Sequence, residues 1–442
     1  MARGGRVDGV RCRYRVTAMG REDIIDDLAA RGLVHDSTDL GELRARLAAG
    51  AVTVYCGFDP TAPSLHVGNL QSLLLLRRFQ DAGHRPIALA GGATGMIGDP
   101  SGRDSERLLL DDDTISQNLA SIRPQLERFL DFSPGASGAS LVDNRDWTAQ
   151  MTVLEFLRDV GKHMPVNTML HKDSVRSRLE REGGISFTEF SYMLLQANDY
   201  AVLHETHGCT LQVAGSDQWG NIVAGIDLIR RRTGAAVAGL TAPLITSVDG
   251  KKFGKSTGGG GLWLDAALTS PYQLFQYFMQ TDDRDVGPWL SRLTLLAATE
   301  IAEIVAAHEQ APERRSGQRA LAGAICSFLH GAAAASTAEQ VSGVLFGGSP
   351  LESPPEVLRA IEREVPVTRL TPAELEATDS LTMFSTAFGV SKGEVRKNAA
   401  GYSRNGVAMT ASGAESATLL HGQWLLLRRG KTSYHLVVSS ED

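Results

Sequence analysis

Two short segments of this 442-residue sequence carry residue types suited to phosphate chemistry. The first, Leu65–Asn69 (LHVGN), places an imidazole, a glycine and an amide between a predicted strand and a predicted helix. A helix N-terminus attracts anions, and a glycine there lets a phosphate or a flat ring approach the backbone. Taken alone, however, a histidine at a helix start is more often a capping or packing residue.

The second segment, Lys252–Ser256 (KFGKS), places two lysines three residues apart in a glycine-bearing loop. Two such ammonium groups can close on a polyphosphate as point charges, although most loops of this composition are simply solvated. The last three residues also match the end of a P-loop. That motif needs a glycine where this chain has Asp249, and it runs from a strand into a long helix, which this segment does not. We therefore exclude a P-loop.

A polar stripe on a predicted helix is the third feature. Tyr192, Gln196 and Asp199 are spaced i, i+4 and i+7, which places all three on one helix face. The alternative is an exposed polar face, which the apolar residues nearby disfavour. The stripe therefore indicates a binding surface for a polar ligand.

The surrounding pattern predicts the elements that position these residues. Strand-like and helix-like runs alternate over the first 245 residues, which is typical of βαβ units and a doubly wound parallel sheet. Ligands of such sheets lie outside the carboxyl ends of the strands. The predicted strands are 51–58, 86–90, 141–144, 210–213 and 239–245. The predicted helices are 66–81, 112–131, 150–160, 187–204 and 219–232, followed after residue 261 by 271–279, 286–299 and 300–334.

Composition limits the class of protein. With 43% hydrophobic and 21% charged residues the chain is an ordinary globular protein, and its length suggests roughly three units of about 150 residues. No apolar stretch is long enough for a membrane helix, so we expect no membrane partner. The four cysteines lie far apart and form no CxxC pair. A disulfide framework or zinc site is therefore disfavoured, and a reducing cytoplasm is expected.

The charge of the chain is uneven. The net charge of −7 disfavours a general nucleic-acid coat, because phosphate binding needs a cationic surface. From Leu381 to the C-terminus, however, seven basic residues face four acidic ones, a net of about +3 that leaves about −10 for the rest. RNA contact, if any, is therefore expected to be local.

The first eighteen residues carry five arginines and one acidic residue. An RNA-binding arm is one interpretation, and an unstructured tail, which we favour, is the other. A secretory signal is excluded because no apolar stretch follows the arginines. An amphipathic helix is predicted directly after Met19, so we hypothesise that translation begins there.

Several ordered motifs together resemble one known family. The LHVGN turn is similar to the HxGH motif, and KFGKS to the KMSKS motif, of class I aminoacyl-tRNA synthetases. Four further segments resemble the bacterial tyrosyl-tRNA synthetases: Tyr55–Ala62 (YCGFDPTA), Gly91–Arg103 (GGATGMIGDPSGR), Ser186–Asp199 (SFTEFSYMLLQAND) and Gly215–Ile222 (GSDQWGNI). The resemblance covers the chain from about Met19 onward.

The resemblance implies a fold of several domains. A Rossmann-like α/β catalytic domain would be followed by an α-helical domain and a small α+β S4-like RNA-binding domain. The expected boundaries are 1–18 for a disordered extension, 19–247 for the catalytic domain, 248–269 for the KMSKS-like loop and connector, 270–348 for an anticodon-binding-type helical domain, 349–374 for a linker and 375–442 for the S4-like domain.

The resemblance also implies a set of tyrosine-binding residues. A phenolic hydroxyl is both donor and acceptor, and Tyr55 with Asp199 can satisfy it, the carboxylate accepting and the tyrosine donating. Such a pocket rejects phenylalanine because its polar groups would be unpaired, a discrimination for which tyrosyl-tRNA synthetases are themselves the standard example. The other implied residues are Asp99, Tyr192 and Gln196 around the substrate ammonium and Gln218 near its carboxylate.

ATP is the second implied substrate, arriving with Mg²⁺, and no protein-ligated metal is expected. Tyrosine would attack the α-phosphorus, pyrophosphate would leave, and the tyrosyl group would then pass to the terminal ribose of tRNA(Tyr). The enzyme would act by positioning and electrostatic stabilisation. The implied ATP-binding residues are Cys56, Gly57, Asp59, Gly68, Asp217 and Lys255, and the implied catalytic residues are Thr61, His66, Asn69, Arg103, Lys252, Lys255 and Ser256.

The sequence departs from the general class I pattern at one position. Asn69 stands where the HxGH motif has its second histidine, and an amide keeps a donor but carries no charge. Glycines 258–261 follow the KFGKS segment and would let that loop close over ATP.

The basic tail resembles an S4-type domain. Its segment Val390–Lys397 (VSKGEVRK) resembles the RNA-binding helix, and Arg404 stands before Asn-Gly where the family usually has an apolar residue. The alternative is a basic surface on a small α+β unit. The implied tRNA contacts are Lys392, Arg396, Lys397 and Arg404. The family resemblance further implies a homodimer.

Other functions fit less well. A small-molecule nucleotidylyltransferase shares the HxGH turn but would lack the Tyr55 and Asp199 pair, the helical domain and the basic tail. A tryptophanyl-tRNA synthetase has no use for a phenol-recognising pair. A non-catalytic RNA-binding paralogue would be expected to lose phosphate-site residues, and here these are present.

Overall fold

The computed structural model describes residues 20–101, 109–180, 184–246, 248, 261–410 and 418–440. The chain packs as two compact units. The larger unit holds the described residues up to Thr269 together with Thr281–Leu321, and the smaller unit holds Ser270–Gln280 and the described residues from Ala322 onward. This grouping differs from the predicted boundaries, because the predicted helical domain 270–348 is divided between the two units.

A five-stranded parallel sheet forms the centre of the larger unit. The strands lie in the order β3-β2-β1-β4-β5, so the chain reverses its direction of winding between β1 and β4. This is the predicted doubly wound sheet, and each strand lies within three residues of its predicted bounds. The strands are β1 Thr53–Phe58, β2 Arg85–Ala90, β3 Ser140–Asp143, β4 Cys209–Gly215 and β5 Ala238–Ala242.

Helices of the larger unit connect and cover these strands. The helices are α1 Ile24–Ala30, α2 Leu40–Ala49, α3 Val67–Asp81, α4 Thr94–Ile97, α5 Asp112–Phe129, α6 Arg145–Thr148, α7 Val153–Glu155, α8 Val166–Leu170, α9 Asp173–Leu179, α10 Phe187–His207 and α11 Trp219–Thr233. After α12 (Pro271–Met279), which belongs to the smaller unit, the larger unit continues with α13 Asp283–Leu293 and α14 Ala298–Gln310. The predicted helix 150–160 is instead the short α7 followed by a wider π-type turn at Phe156–Val160. No helix in the described part of the chain is both long and apolar enough to span a bilayer.

The helices that carry site residues begin at specific caps. The Asp111 carboxylate accepts a hydrogen bond from Thr114 N at 2.8 Å and so starts α5. The Ser186 hydroxyl accepts from Glu189 N at 3.2 Å and starts α10. Each cap satisfies a backbone donor that the first helical turn leaves unpaired, and so fixes where the helix begins.

A second sheet forms the smaller unit with the remaining helices. Its strand order is β6-β10-β9-β7-β8, in which β6 pairs with β10 in parallel and the other pairs are antiparallel. The strands are β6 Val367–Leu370, β7 Tyr402–Arg404, β8 Val407–Ala408, β9 Trp424–Arg429 and β10 Ser433–Ser439. The helices are α12 Pro271–Met279, α15 Ser316–His330 (which begins in the larger unit), α16 Ala332–Leu345, α17 Pro355–Ile361, α18 Pro372–Ala377, α19 Ser380–Phe388 and α20 Lys392–Lys397.

The predicted linker 349–374 is wrong, because this segment is folded. It contains α17, whose Val357 and Leu358 lie in a buried apolar cluster, and β6, which is a strand of the second sheet. The prolines that suggested a linker instead start helices: Pro355 and Pro372 occupy the first turn of α17 and α18. A proline there costs nothing, since its missing N–H would have no helical partner.

Candidate active site

The carboxyl edge of the first sheet gathers the polar residues. Asp59 directly follows β1, Asn144 follows β3 and Asp217 follows β4, and the backbone of Gly91 follows β2. The reversal of winding between β1 and β4 opens a crevice at this edge, where doubly wound sheets bind their ligands. A β-carbon on Gly91 would lie 2.0 Å from the Asp59 carboxylate, so only glycine fits beside that side chain.

The LHVGN turn forms a complete cap for α3. The His66 Nδ1 accepts a hydrogen bond from Gly68 N at 2.9 Å, and the Asn69 side-chain oxygen accepts from His66 N at 3.1 Å. Because Nδ1 is the acceptor, a neutral His66 ring carries its proton on Nε2. A β-carbon on Gly68 would lie 2.5 Å from the His66 ring, so glycine is needed to hold the imidazole in this position.

Asp199 is buried at the end of the polar stripe and accepts two side-chain hydrogen bonds. Asn144 Nδ2 donates to one carboxylate oxygen and Trp147 Nε1 to the other, each at 2.9 Å. Burial raises the pKa of Asp199 to about 7, and these two hydrogen bonds oppose that rise. The sequence analysis missed both donors. The signal that could have found them is their position within four residues after β3, at the edge of the sheet where ligands are expected.

Tyr55 lies close enough to Asp199 for the two groups to interact electrostatically. The side chain is 1% exposed, and burial, followed by the charge of Asp199, raises its pKa well above the usual value. Its hydroxyl has no hydrogen-bond partner among the residues that the structure describes. A ligand group that both donates and accepts would satisfy this hydroxyl and the carboxylate together.

A chain of hydrogen bonds runs from Asp199 to Tyr192. Asn144 Nδ2 also donates to the Thr94 hydroxyl at 2.9 Å, and that hydroxyl donates to Asp59 at 2.8 Å. The second Asp59 oxygen accepts from the Tyr192 hydroxyl at 2.9 Å. Two of the three predicted stripe residues are thus tied to one network. Thr94, which connects its two halves, was not predicted.

Gln196, the third stripe residue, belongs to a second network. Asn221 Nδ2 donates to Gln196 Oε1 at 3.0 Å and to Gln218 Oε1 at 3.1 Å, and Gln218 Nε2 donates to Asp99 at 2.5 Å. Asn221 was not predicted. Burial and then the charge of Asp99 raise the pKa of Asp217, so the site concentrates negative charge.

Cys56, Gly57 and Thr61 were also predicted to line the nucleotide region. The Cys56 thiol is buried, and burial raises its pKa to about 12, so it is protonated at neutral pH. Gly57 is the exposed position of β1, and Thr61 N donates to Asp59 O at 2.8 Å in the turn that follows. A protonated thiol is a poor nucleophile, so covalent chemistry at Cys56 is disfavoured.

Some predicted residues lie outside the described part of the chain. They are Arg103, Lys252, Lys255 and Ser256, together with the N-terminal extension 1–18 and Met19. Among the described residues no cluster of three or more His, Cys, Asp or Glu side chains is arranged to hold a metal ion.

Comparison with known proteins decides the family. The model of the family described as tRNA synthetases class I (W and Y) matches residues 48–347. A tyrosine–tRNA ligase of Mycobacterium tuberculosis (strain ATCC 25618 / H37Rv) is 51% identical over 416 residues, which cover 93% of this chain and 97% of that protein. The chain belongs to this family of class I tRNA synthetases.

Other members of the class I tRNA synthetases are similar to this one. A tyrosine–tRNA ligase of Opitutus terrae (strain DSM 11246 / JCM 15787 / PB90-1) is 50% identical over 94% of this chain and 99% of its own length. The structure of a C-terminally truncated mitochondrial tyrosyl-tRNA synthetase of Aspergillus nidulans matches with a TM-score of 0.66 at 32% identity, covering 73% of this chain and 94% of that one. A tryptophanyl-tRNA synthetase of Encephalitozoon cuniculi matches at 14% identity and a TM-score of 0.52, which shows the shared fold alone.

The tail cations of this class I tRNA synthetase lie beyond the family-model match. Lys392, Arg396 and Lys397 are exposed on α20, whereas Arg404 is partly buried and donates to the Ser380 hydroxyl at 2.9 Å. Three of the four residues predicted to contact tRNA are therefore exposed on one short helix. The fourth, Arg404, makes an internal hydrogen bond.

The Asn-Gly turn after Arg404 is well formed despite the unusual residue before it. Asn405 and Gly406 both have positive φ, 48° and 81°, as a two-residue hairpin turn requires. The Asn405 side chain accepts from Leu426 N at 2.8 Å and donates to Thr418 O at 2.9 Å. These bonds hold the turn independently of the residue type at 404.

Proposed function

We propose that this chain activates L-tyrosine with ATP to form tyrosyl-adenylate and then transfers the tyrosyl group to tRNA(Tyr). The observation that carries the proposal is the buried pair of Asp199 and Tyr55. Asp199 is an acceptor held by two donors, and the Tyr55 hydroxyl beside it has no partner among the described residues. A phenol supplies the missing donor and acceptor in one group, which phenylalanine and indole do not.

The two hydrogen-bonded networks support a binding site for the amino-acid end of tyrosine. Asp59 and Asp99 are acidic, and Tyr192 and Gln196 offer further oxygen acceptors on the same side of α10. An ammonium group needs three such acceptors. We assign it to Asp99, Tyr192 and Gln196, and we assign the substrate carboxylate to Gln218, which would aim it toward ATP.

The chemistry of activation needs no protein nucleophile. The substrate carboxylate would attack the α-phosphorus in line, and pyrophosphate would leave with its Mg²⁺. The N-terminus of α3 and the Nε2–H of His66 would stabilise the charge that develops on the phosphates, with Asn69 holding His66 in place. Cys56, Gly57, Asp59, Gly68 and Asp217 would hold the nucleoside.

We also propose that the KFGKS segment binds the phosphates of ATP. Thr61 would meet the β- and γ-phosphates at the turn after β1. The remaining contacts are assigned from sequence to Arg103, Lys252, Lys255 and Ser256. All four side chains would supply charge or hydrogen bonds to the leaving pyrophosphate.

We propose a separate tRNA contact in the smaller unit. Lys392, Arg396 and Lys397 are all exposed on the short helix α20, which supports a site for the phosphate backbone. The helical segment 270–348 is assigned to the anticodon end of the tRNA. The cytoplasm, where tRNA is charged, is the proposed location of the enzyme.

A homodimer is also proposed, and the surface of the larger unit supports it. Several large apolar side chains between residues 153 and 187 are exposed, among them Leu154 (79% exposed) and Phe187 (78% exposed). Such exposure is costly unless another molecule covers it, and a second copy is the proposed partner.

The substitution Leu154→Asp should convert the dimer to monomer in light-scattering measurements, and a wild-type chain that is monomeric would refute the proposal.

Tyrosine-dependent ATP–pyrophosphate exchange tests the main proposal. We expect exchange with tyrosine and little with phenylalanine or tryptophan. Asp199→Ala should abolish tyrosine use, and Lys252→Ala should slow adenylate formation while tyrosine still binds. A wild-type chain without tyrosine-dependent exchange would overturn the proposed function. A Lys252→Ala variant that loses only tyrosine binding would overturn the loop assignment.

A further inference from the structure

Two buried amide side chains of α5 contact the loop that leads to His66. Asn118 and Gln125 are seven residues apart and therefore lie on the same face of the helix. Asn118 Nδ2 donates to Pro60 O at 2.9 Å, and Gln125 Oε1 accepts from Leu65 N at 3.1 Å. The two amides therefore hold both ends of the loop that carries Thr61 and precedes His66.

The orientation of Gln125 is fixed by its own helix. Its Nε2 donates to Ser121 O one turn earlier at 3.2 Å, so Oε1 is directed at the backbone donor of Leu65. The Ser64 hydroxyl lies 3.1 Å from the same oxygen and 2.7 Å from Leu65 O, and its single proton can satisfy one of them at a time. Ser64 and Gln125 are both buried, so water cannot replace these contacts cheaply.

Ser64 extends this contact to a second segment. Its hydroxyl accepts from Asp265 N at 3.2 Å. Two backbone hydrogen bonds continue the pairing, from Val67 N to Leu262 O at 2.9 Å and from Leu264 N to Leu65 O at 2.8 Å. The segment 262–265, which follows the KFGKS residues in sequence, is thus attached to the His66 turn along four residues.

We infer that Gln125 is a positioning residue for the activation step, acting through Leu65 and Ser64 on the His66 turn and on the segment 262–265. The inference rests on the proposed function, because it assigns to these backbones the task of holding phosphate-binding groups. Gln125 contacts no phosphate itself. Its loss displaces groups that meet ATP and leaves the tyrosine pocket around Asp199 unchanged.

The substitution Gln125→Met tests this inference, because it keeps the length of the side chain and removes the acceptor. In pyrophosphate exchange by the full-length chain, kcat/KM for ATP should fall about 10- to 100-fold, as expected for small misplacements of reacting groups. The KM for tyrosine should stay within about twofold of wild type. A purely structural role would not separate the two substrates in this way.

Gln80 provides a matched control on α3. It is also a buried glutamine, and its side chain makes three hydrogen bonds to the backbone of Asp131 and Ser137, between 2.8 and 2.9 Å. Gln80→Met should lower the unfolding temperature and leave both substrate constants unchanged. Equal kinetic losses in the two variants, or a parallel rise of the tyrosine KM in Gln125→Met, would overturn the inference.

A second variant decides the case if Gln125→Met does not fold. Ser64→Ala removes only the hydroxyl that accepts from Asp265 N, and it should lower kcat/KM for ATP while tyrosine binding persists. A folded Ser64→Ala enzyme with wild-type constants would refute the inference. Absence of tyrosine-dependent exchange in the wild type would instead refute the proposed function, so the two failures are distinguishable.

Discussion

Removing the indole N–H of Trp147 should shift the pH range in which the enzyme binds tyrosine. Trp147 Nε1 donates to Asp199 at 2.9 Å, and Trp147→Phe deletes this donor while keeping an aromatic ring. The hydrogen bond favours the ionised carboxylate, so its loss must raise the pKa of Asp199 above its present value of about 7. The ionised form is the better acceptor for a phenolic hydroxyl, so tyrosine affinity should then fall at neutral pH.

The size of this shift follows from the hydrogen bond. A hydrogen bond to a charged group contributes about 1.5–3 kcal/mol, and about 1.4 kcal/mol corresponds to one pKa unit. The pKa of Asp199 should therefore rise by about one to two units, from about 7 to about 8–9. At pH 7 the apparent tyrosine KM of the variant should exceed that of wild type about 5- to 50-fold, and at pH 9 by at most about twofold.

The assay is the tyrosine KM in pyrophosphate exchange from pH 6.5 to 9, expressed as the ratio of variant to wild type. The ratio removes the titration of the substrate's own groups. Trp289→Phe, a buried tryptophan on α13, is a matched control for the change in volume and should give a ratio near one at every pH. A constant ratio for Trp147→Phe across the pH range would refute the electrostatic reasoning and indicate a change of pocket shape.

Three further predictions concern other parts of the molecule. Gly68→Ala should displace the His66 ring, because a β-carbon would lie 2.5 Å from it, and should lower kcat for exchange about tenfold or more while the tyrosine KM is kept. Arg178→Met should lower the free energy of unfolding in urea by about 3–5 kcal/mol, because it leaves the buried Glu189 carboxylate, bound at 2.8 and 3.0 Å, without its cation. The double substitution R396Q/K397Q on α20 should weaken tRNA charging at low salt more than it weakens exchange.

The Gly68 and Arg178 substitutions each have a control in the same chain. Gly343→Ala on α16, where a β-carbon meets open space, should leave exchange unchanged. Arg230→Met breaks an exposed pair with Asp227 and should cost less than about 1 kcal/mol in the same urea titration. Equal losses in variant and control, or equal losses of charging and exchange in the α20 variant, would contradict the assignments.

The fold of the larger unit could be predicted from sequence because its signals are local. Alternating strand and helix patterns placed all five strands, and the i, i+4, i+7 spacing placed Tyr192, Gln196 and Asp199 on one face of α10. The prediction of a linker at residues 349–374 was wrong for a physical reason. Proline in the first turn of a helix and proline in a linker look the same in sequence, and pairing of Val367–Leu370 with β10 depends on residues more than sixty positions away.

Residue type and spacing alone indicated the LHVGN turn, the KFGKS segment and the α10 stripe, and the family resemblance implied the other site residues. Asn144, Thr94 and Asn221 are ordinary polar residues that gain their roles from what lies opposite them in the fold. Asn144 illustrates this: its amide donates to both Asp199 and Thr94, residues that are 55 and 50 positions away. No local pattern contains that information.

If Asp199 binds the phenol as proposed, selectivity for the amino acid should depend on the short segment after β3. The carboxylate comes from α10, but both side chains that donate to it, Asn144 and Trp147, come from four consecutive residues at the edge of the sheet. A buried carboxylate with a pKa near 7 is easily shifted in either direction, and these donors oppose the rise that burial causes. Substitutions in this segment should therefore change the binding of the phenol more than they change the rate of the reaction at phosphorus.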